Sequence, residues 1–291
     1  AASLVLALTM PAAAESMADA LADSYRDSGL LDQNRALLRA ADEDVAQSLA
    51  ALRPVVQWSA NYNWSDPPRT LGGSATSANF EVSASLLLYD GGASTHRTEA
   101  AKALVLETRQ NLRGIEQDVL LRAATAYMNV RRNTEFVALR KSNMNLIEEE
   151  LRAARDRFEV GEVTRTDVAL AEARLAATRS ELAAAEGSLA QSIEEFRAAV
   201  GRAPGRLDVV SPAPLDRAQD AARGFALGNH PSIKAAQQAV TAAELTLRAA
   251  EAALSPSVNL RGSASVDDDG NATESLGLSV GGPIYSGGQL E

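Results

Sequence analysis

The chain has 291 residues and a formal net charge of −10, and it contains no cysteine. The missing cysteine excludes disulfides, cysteine-ligated metals, a thiol nucleophile and lipid attachment to an N-terminal cysteine. The acidic charge and the lack of a basic cluster with interleaved aromatic residues argue against nucleic acid as a partner. Long runs of alanine with Glu, Arg, Leu and Gln indicate long helices that pack through small side chains.

The first 14 residues resemble the end of a secretory signal peptide. An apolar run from Leu4 to Met10 precedes Ala12-Ala13-Ala14, which suits an A-x-A cleavage site. We therefore expect a signal peptide over 1–14, truncated in front, and a mature chain that begins near Glu15 outside the cytoplasm. A frayed alanine-rich terminus is the alternative. No segment offers about 18 consecutive apolar residues, so no transmembrane helix is predicted.

The segment 15–52 predicts a helix, and 53–92 predicts a pair of strands that ends in Gly91-Gly92. In "VVQWSANYNW" and "FEVSASLLLY" every second residue is apolar, and this alternation extends to Leu88. A second pair with the same alternation is predicted over 254–288. The apolar positions predicted to form one face are Val56, Trp58, Tyr62, Trp64, Phe80, Val82, Leu86, Val258, Leu260, Leu276, Leu278 and Val280.

The segment 93–200 predicts an antiparallel helical hairpin with its tip near Gly161. Apolar residues recur seven apart in each half, at Val130, Val137, Met144, Leu151 and Phe158 and then at Val168, Leu175, Leu182, Leu189 and Phe196. Small residues alternate with the second row, which allows the helices to approach closely. The segment 201–253 predicts a connector followed by a second alanine-rich helix.

Strands of about ten residues with one apolar and one polar face suit the wall of a membrane barrel. A small soluble sandwich with one wet face has the same local pattern. The aromatic residues on the apolar face and the secretory start favour the membrane. Because the smallest bacterial barrels use about eight strands, four strands predict a share of an oligomeric wall.

The two strand pairs lie in matching surroundings, which indicates an internal repeat. "LRP" at 52–54 corresponds to "LSP" at 254–256, and Tyr89-Asp90-Gly91-Gly92 corresponds to Tyr285-Ser286-Gly287-Gly288. Each unit would consist of a helix, a strand pair, Gly-Gly and a long hairpin. We therefore expect the second copy to continue into another hairpin, with 289–291 as its start.

Six motifs follow one another along the chain: "LRPVVQWSANYNW", "LLLYDGG", "TAYMNV", "RFEVGEVTRTDVALAEARL", "NHPSIKAA" and "GGPIYSGG". In this order they resemble the TolC family of outer-membrane efflux and secretion ducts. One departure is "DSGLLDQNRA", where the family often has an Asn-Pro turn. The resemblance implies an α+β membrane protein and a homotrimer in the cell outer membrane. Each protomer would give four strands to a twelve-stranded barrel, and the hairpins would form an α-barrel in the periplasm.

The resemblance also implies that the hairpin tip is the periplasmic entrance. There it would meet the membrane-fusion adaptor of an inner-membrane transporter, and Thr166 and Asp167 match positions that help to hold the entrance shut. The candidate docking residues are Gly161, Glu162, Val163, Thr164, Thr166 and Asp167. A structural role is also open, because Thr164 and Asp167 have the spacing of a helix capping box.

No pattern predicts catalysis, a cofactor or a metal. His96 and His230 lack metal-ligand spacing, "DDDG" at 267–270 is too short for an EF-hand loop, and the glycine-rich stretches lack the residues of a P-loop. The predicted function is a passive exit duct of a tripartite efflux pump or a type I secretion system. The alternative is a periplasmic coiled-coil scaffold with a small soluble sheet.

Overall fold

A computed structural model describes residues 14–65, 75–212 and 218–284. The predicted signal peptide, apart from its last residue, lies outside the described residues, as do the second Tyr-x-Gly-Gly and residues 289–291. The chain divides into two compact units. The first combines the described residues up to Gln33 with those from Gly114 to the connector, and the second combines Asn34–Arg113 with the residues from Gln219 onward.

The segment 15–52, predicted as one helix, contains two: α1 is Met17–Arg26 and α2 is Gly29–Ala50. Ser16 begins α1 with a capping box, in which its hydroxyl accepts from the Asp19 N–H. Asp27 closes α1, and the Ser28 carbonyl accepts from the N–H groups of Leu31 and Asp32 at the start of α2. Asp, Ser and Gly favour caps and turns over helix interiors, which accounts for the break.

Helix α3 spans Ala93–Glu159 and α4 spans Arg165–Val200. At about 1.5 Å per residue, α3 is about 100 Å long. Three ion pairs join the two helices in antiparallel order: Arg140–Glu181 at 2.7 Å, Glu148–Arg179 at 3.0 Å and Arg155–Glu172 at 2.7 Å. The predicted antiparallel hairpin is therefore confirmed.

The seven-residue rows of α3 and α4 lie mostly in the seam of this hairpin. Val130, Leu151, Leu175 and Phe196 are buried, as are the small seam residues Thr178 and Ser192. The exception is Phe158, which is half exposed near the tip. At the other end, Tyr127 and Phe196 centre a core completed by Ala20, Ala123, Ala126, Val130 and Val200.

The second unit contains a four-stranded antiparallel sheet in the order β1-β2-β3-β4. Its strands are β1 Val55–Ser65, β2 Ala75–Tyr89, β3 Ser257–Asp267 and β4 Ala272–Gly281. The fold class predicted from the sequence, long helices with four antiparallel strands, is confirmed. Between β2 and β3 the register shifts at Leu87–Tyr89, so that Leu88 has no direct partner in β3. The predicted alternation therefore stops at Leu86, because a β-bulge inserts one extra residue.

Two helices precede β3. Helix α5 is Gln219–Asn229, and α6 is Pro231–Ala252 with Pro231 in its first turn and His230 as its N-cap. Ala235, Ala242 and Ala249 of α6 are buried and lie seven residues apart, which permits close helix packing. No helix among the described residues has both the length and the apolarity needed to cross a membrane.

Candidate functional site

The strand register gathers the predicted apolar residues on one face of the sheet. Trp58 pairs with Val82, Phe80 with Val266, Leu86 with Leu260, and Leu260 with Leu278. Directly paired residues point to the same face, so the register carries the alternation across all four strands. The residues predicted from the sequence for this face all occupy it: Val56, Trp58, Tyr62, Trp64, Phe80, Val82, Leu86, Val258, Leu260, Leu276, Leu278 and Val280.

Much of this apolar face is exposed. Trp58 is 72% exposed, Leu276 is 81% exposed and Phe80 is 48% exposed. The neighbouring polar residues of β2, namely Glu81, Ser83 and Ser85, are only half exposed. In β2, apolar side chains such as Phe80 and Val82 are therefore more accessible than their polar neighbours, which reverses the usual order in water. Large exposed apolar patches mark contact with a membrane or another protein.

The opposite face of the sheet is polar and rich in serine and asparagine. Ser83 pairs with Gln57 and Ser263, and Ser263 in turn pairs with Ser275. The hydroxyls of Ser263 and Ser275 share a hydrogen bond of 2.9 Å. This face presents hydrogen-bonding groups that suit contact with water and polar solutes.

The turn after β2 is built by one aspartate and one glycine. The Asp90 carboxylate accepts the N–H groups of Gly92 at 3.1 Å and Ser94 at 2.7 Å, which fixes the first turn of α3. Gly91 has φ +69°, and a Cβ there would lie 2.5 Å from the Ser255 Cβ. Only glycine fits this close approach and left-handed conformation.

At the hairpin tip, Gly161 has φ +81° and turns the chain out of α3. Thr164 is the N-cap of α4: its hydroxyl accepts the Asp167 N–H at 3.3 Å, while Asp167 Oδ2 accepts the Thr164 N–H at 2.8 Å and hydroxyl at 2.7 Å. Thr166 is exposed between them. The capping box predicted from the sequence is present, and these residues are together in one turn.

The two hydrogen bonds from Thr164, first that of its hydroxyl and then that of its N–H, lower the pKa of Asp167. Asp167 therefore keeps its charge at the N-terminal end of α4, where the helix dipole favours an anion. Beside it is a cleft of about 510 Å³ between α3 and α4, lined by Glu150, Ala153, Ala154, Arg157, Val163, Asp167, Leu170, Ala171 and Arg174. The tip thus combines an ordered turn with a cleft that is lined by acidic and basic side chains.

The first unit also holds a cluster that the sequence did not reveal, which we call the N-terminal clasp: Glu15, Tyr127, Arg202 and Asp208. Glu15 forms a parallel bridge with Leu207. Its N–H donates to the Arg206 carbonyl at 2.7 Å, and the Asp208 N–H donates to the Glu15 carbonyl at 3.0 Å. The fully buried Tyr127 places its hydroxyl 2.9 Å from the Glu15 carbonyl and 3.0 Å from that of Asp208.

The N-terminal clasp also contains ionic contacts of Arg202. Arg202 lies 2.9 Å from the buried Glu15 Oε1 in an ion pair without hydrogen-bond geometry, and its Nε donates to Asp23 at 2.9 Å. The two carboxylates, Glu15 first, raise the pKa of Arg202. Burial raises the pKa of Tyr127, so that its hydroxyl remains a donor. Tyr127 belongs to the "TAYMNV" motif, but no local pattern connects it with residues about a hundred positions away.

Among the described residues no cluster of His, Asp and Glu has the arrangement of a metal site. His230 Nδ1 lies 3.3 Å from the Ser232 N, whose N–H it accepts, and 2.7 Å from the Ser232 hydroxyl, as an N-cap does. These N-cap contacts agree with a structural role for His230.

Comparison with known proteins identifies the family. The sequence model of the outer membrane efflux protein family matches residues 26–202, which is more than half of the chain. The chain belongs to this family. Members of the family are outer-membrane channels and not enzymes.

One curated relative is the outer membrane efflux protein BepC of Brucella suis biovar 1 (strain 1330). It is 36% identical over 287 residues, which are 96% of this chain and 62% of the relative. The chain therefore spans less than two thirds of that relative's length.

Solved structures share the fold. CusC has a TM-score of 0.80 at 17% identity, covering 97% of this chain and 70% of that one. The outer-membrane channel CmeC of Campylobacter jejuni has a TM-score of 0.78 at 16% identity, covering 94% of this chain and 62% of that one. At these identities the likeness concerns the fold alone.

Proposed function

We propose that this protein is the outer-membrane exit duct of a tripartite efflux pump. It would conduct solutes passively, while an inner-membrane transporter supplies the energy. The observation that carries the proposal is the exposed apolar face of the sheet, on which Trp58, Phe80 and Leu276 are accessible, while Glu81 on the polar face of β2 is half covered. Such an apolar face suits contact with lipid, and the polar face would then line the duct.

The strand number requires assembly from several copies, and the resemblance to the family implies three. Four strands leave two open edges, β1 and β4, and a spanning sheet in lipid must close because unpaired backbone groups are costly there. Three copies would give twelve strands, which lies within the range of known barrels. In a homotrimer the open edges of β1 and β4 would pair with neighbouring copies, and the apolar face would contact lipid.

The hairpin tip is proposed as the periplasmic entrance and the adaptor-docking site. Its residues are Gly161, Glu162, Val163, Thr164, Thr166 and Asp167. The capping box holds the turn in one conformation, and the adjacent cleft offers Glu150, Arg157 and Arg174 to a partner. A preformed turn binds at a lower entropic cost than a flexible one.

Deletion of the native gene and complementation test the duct. Loss of the gene should sensitise cells to toxic compounds, and the intact protein should restore resistance and appear in the outer membrane as a heat-modifiable trimer. A protein that fractionates with the soluble periplasm and leaves compound sensitivity unchanged would contradict the proposal and favour the scaffold.

Docking is tested separately by photo-crosslinking. A crosslinker at Thr166, in the tip, should capture a periplasmic adaptor, whereas one at Gln191, also exposed on α4 but far from the tip, should not. Equal capture at both positions would argue against the tip as the docking site.

A further inference from the structure

Two residues of opposite charge on the polar face of the sheet have no ion-pair partner among the described residues. Within the described strands, the charged residues of this face are Glu81 on β2, Arg261 on β3 and Asp267 at the end of β3. The Asp267 carboxylate is occupied in the β3–β4 turn, where it accepts the N–H groups of Asp269 at 3.1 Å and Asn271 at 2.7 Å. Glu81 and Arg261 make no ion pair with any residue that the structure describes.

The register separates these two charges along the strands. Glu81 pairs with Ser59 and Ser265, whereas Arg261 pairs with Ser85 and Gly277. The two levels are four residues apart along β2, which is about 13 Å. This distance exceeds the reach of a direct ion pair and the Debye length of about 8 Å in physiological salt. Each charge therefore sets its own local potential.

The polar face carries no charge between Glu81 and Arg261, whereas Asp267, which pairs with Asn79, adds a second negative charge just beyond Glu81. The positions between the two levels are Gln57, Ser83, Ser263 and Ser275, which carry no charge. Arg261 lies toward the end of β2 that leads through Asp90 into α3, and Glu81 lies toward the end with the β3–β4 turn.

We propose that Glu81 and Arg261 form two belts of opposite charge in the duct, and this rests on the proposed function. Three copies place three Arg261 guanidinium groups at one level and three Glu81 carboxylates at another. A solute with a net charge of either sign meets one attractive and one repulsive belt. The strand region therefore favours uncharged polar or zwitterionic solutes over strongly charged ones.

Single cysteines provide local probes of this potential, because the chain contains none of its own. Ser265→Cys places a thiol beside Glu81, and Ser85→Cys places one beside Arg261. The experiment uses outer membranes of cells that make the intact protein, with any further cysteine replaced by serine. Each thiol is reacted with membrane-impermeant methanethiosulfonates of similar size, one positive and one negative. A change in the pKa of the introduced thiol alters both rates by the same factor and therefore does not affect their ratio.

The positive reagent should be favoured at position 265 and the negative one at position 85. A unit charge about 6 Å away in water changes each rate by about threefold, so Glu81→Gln should lower the ratio at 265 by about tenfold at low salt. Arg261→Gln should raise the ratio at 85 by a similar factor. Glu274→Gln is the matched control, because Glu274 pairs with Ala264 on the apolar face and should change neither ratio.

If neutralising Glu81 or Arg261 leaves the ratio of the two reaction rates unchanged, the charge belts are contradicted, whereas the proposed duct is not. A different result would overturn both: no reaction at 265 and 85 together with rapid reaction at Val82→Cys, on the apolar face. In that case the polar face would not line an aqueous passage.

Discussion

The helical hairpin and the four-stranded sheet place their apolar side chains in opposite ways. In the hairpin, Leu175 and Phe196 are buried in the seam, and ion pairs such as Arg140–Glu181 lie outside it. In the sheet, Trp58 and Leu276 are exposed, and Glu81 is half covered. The accessible face of each element therefore indicates its surroundings, whereas the overall proportion of apolar residues does not.

The largest effect is expected in the hairpin core. Phe196→Ala empties a fully buried site next to Tyr127, with ring centroids 6.4 Å apart, and should lower the free energy of unfolding by about 3–5 kcal/mol. Phe158→Ala is the matched control, because Phe158 is half exposed in the same heptad pattern. Chemical unfolding followed by far-ultraviolet circular dichroism measures both, and equal losses would contradict the burial difference.

The two faces of the sheet should respond oppositely to charge. Val82→Arg places a charge on the apolar face between Trp58 and Ala264 and should cost about 2–4 kcal/mol near the bilayer midplane. Ser83→Arg, one residue away on the polar face, should be mild. Unfolding from lipid vesicles measures the difference, and equal damage at both positions would favour a soluble sheet.

The N-terminal clasp tests a contact within the first unit. Tyr127→Phe removes a buried hydroxyl that donates to the Glu15 and Asp208 carbonyls. Each carbonyl keeps another donor, the Asp208 N–H and the Arg131 guanidinium, so the expected cost is that of one buried hydrogen bond, about 1.5 kcal/mol. Hydrogen exchange at the Glu15 and Asp208 amides should accelerate. Tyr25→Phe, which removes a hydrogen bond to Glu116, is the control and should leave both amides protected.

The smallest effect is expected at the tip. Thr164→Ala removes the N-cap of α4 and should cost about 1 kcal/mol. Because the pKa of Asp167 is lowered in the folded protein, its contribution is present above the ordinary value of 3.8 and is lost as the pH falls through the lowered one. The gap in thermal stability between wild type and Thr164→Ala should therefore narrow below pH 4. A gap that stays constant there would show that the Asp167 charge is irrelevant to the cap.

The sequence predicted the periodic parts of the fold well. Heptad spacing identified the seam of α3 and α4, and alternation identified the strands, because burial repeats locally in both. The break at Asp27–Ser28 and the bulge at Leu88 depend on one or two residues and escaped this reasoning. The N-terminal clasp also escaped it, because Glu15 and Tyr127 are 112 positions apart and only the tertiary fold unites them.

The candidate sites also contain features that local sequence patterns predict and features that depend on the tertiary structure. The capping box at Thr164 and Asp167 was predictable, since it is a local motif. The twelve apolar residues of one face were also predictable, because they alternate within each strand. The different levels of Glu81 and Arg261 were not, because they depend on the inter-strand register. A slip by one residue would reverse every assignment.

Fluorescence quenching of the two tryptophans tests whether the apolar face of the sheet meets lipid. The chain has only Trp58 and Trp64, and both lie on that face in β1. The intact protein, with any further tryptophan replaced by phenylalanine, is reconstituted in vesicles with brominated acyl chains. Strong quenching by bromolipid and little by iodide is the predicted result. Strong quenching by iodide and none by bromolipid would contradict it.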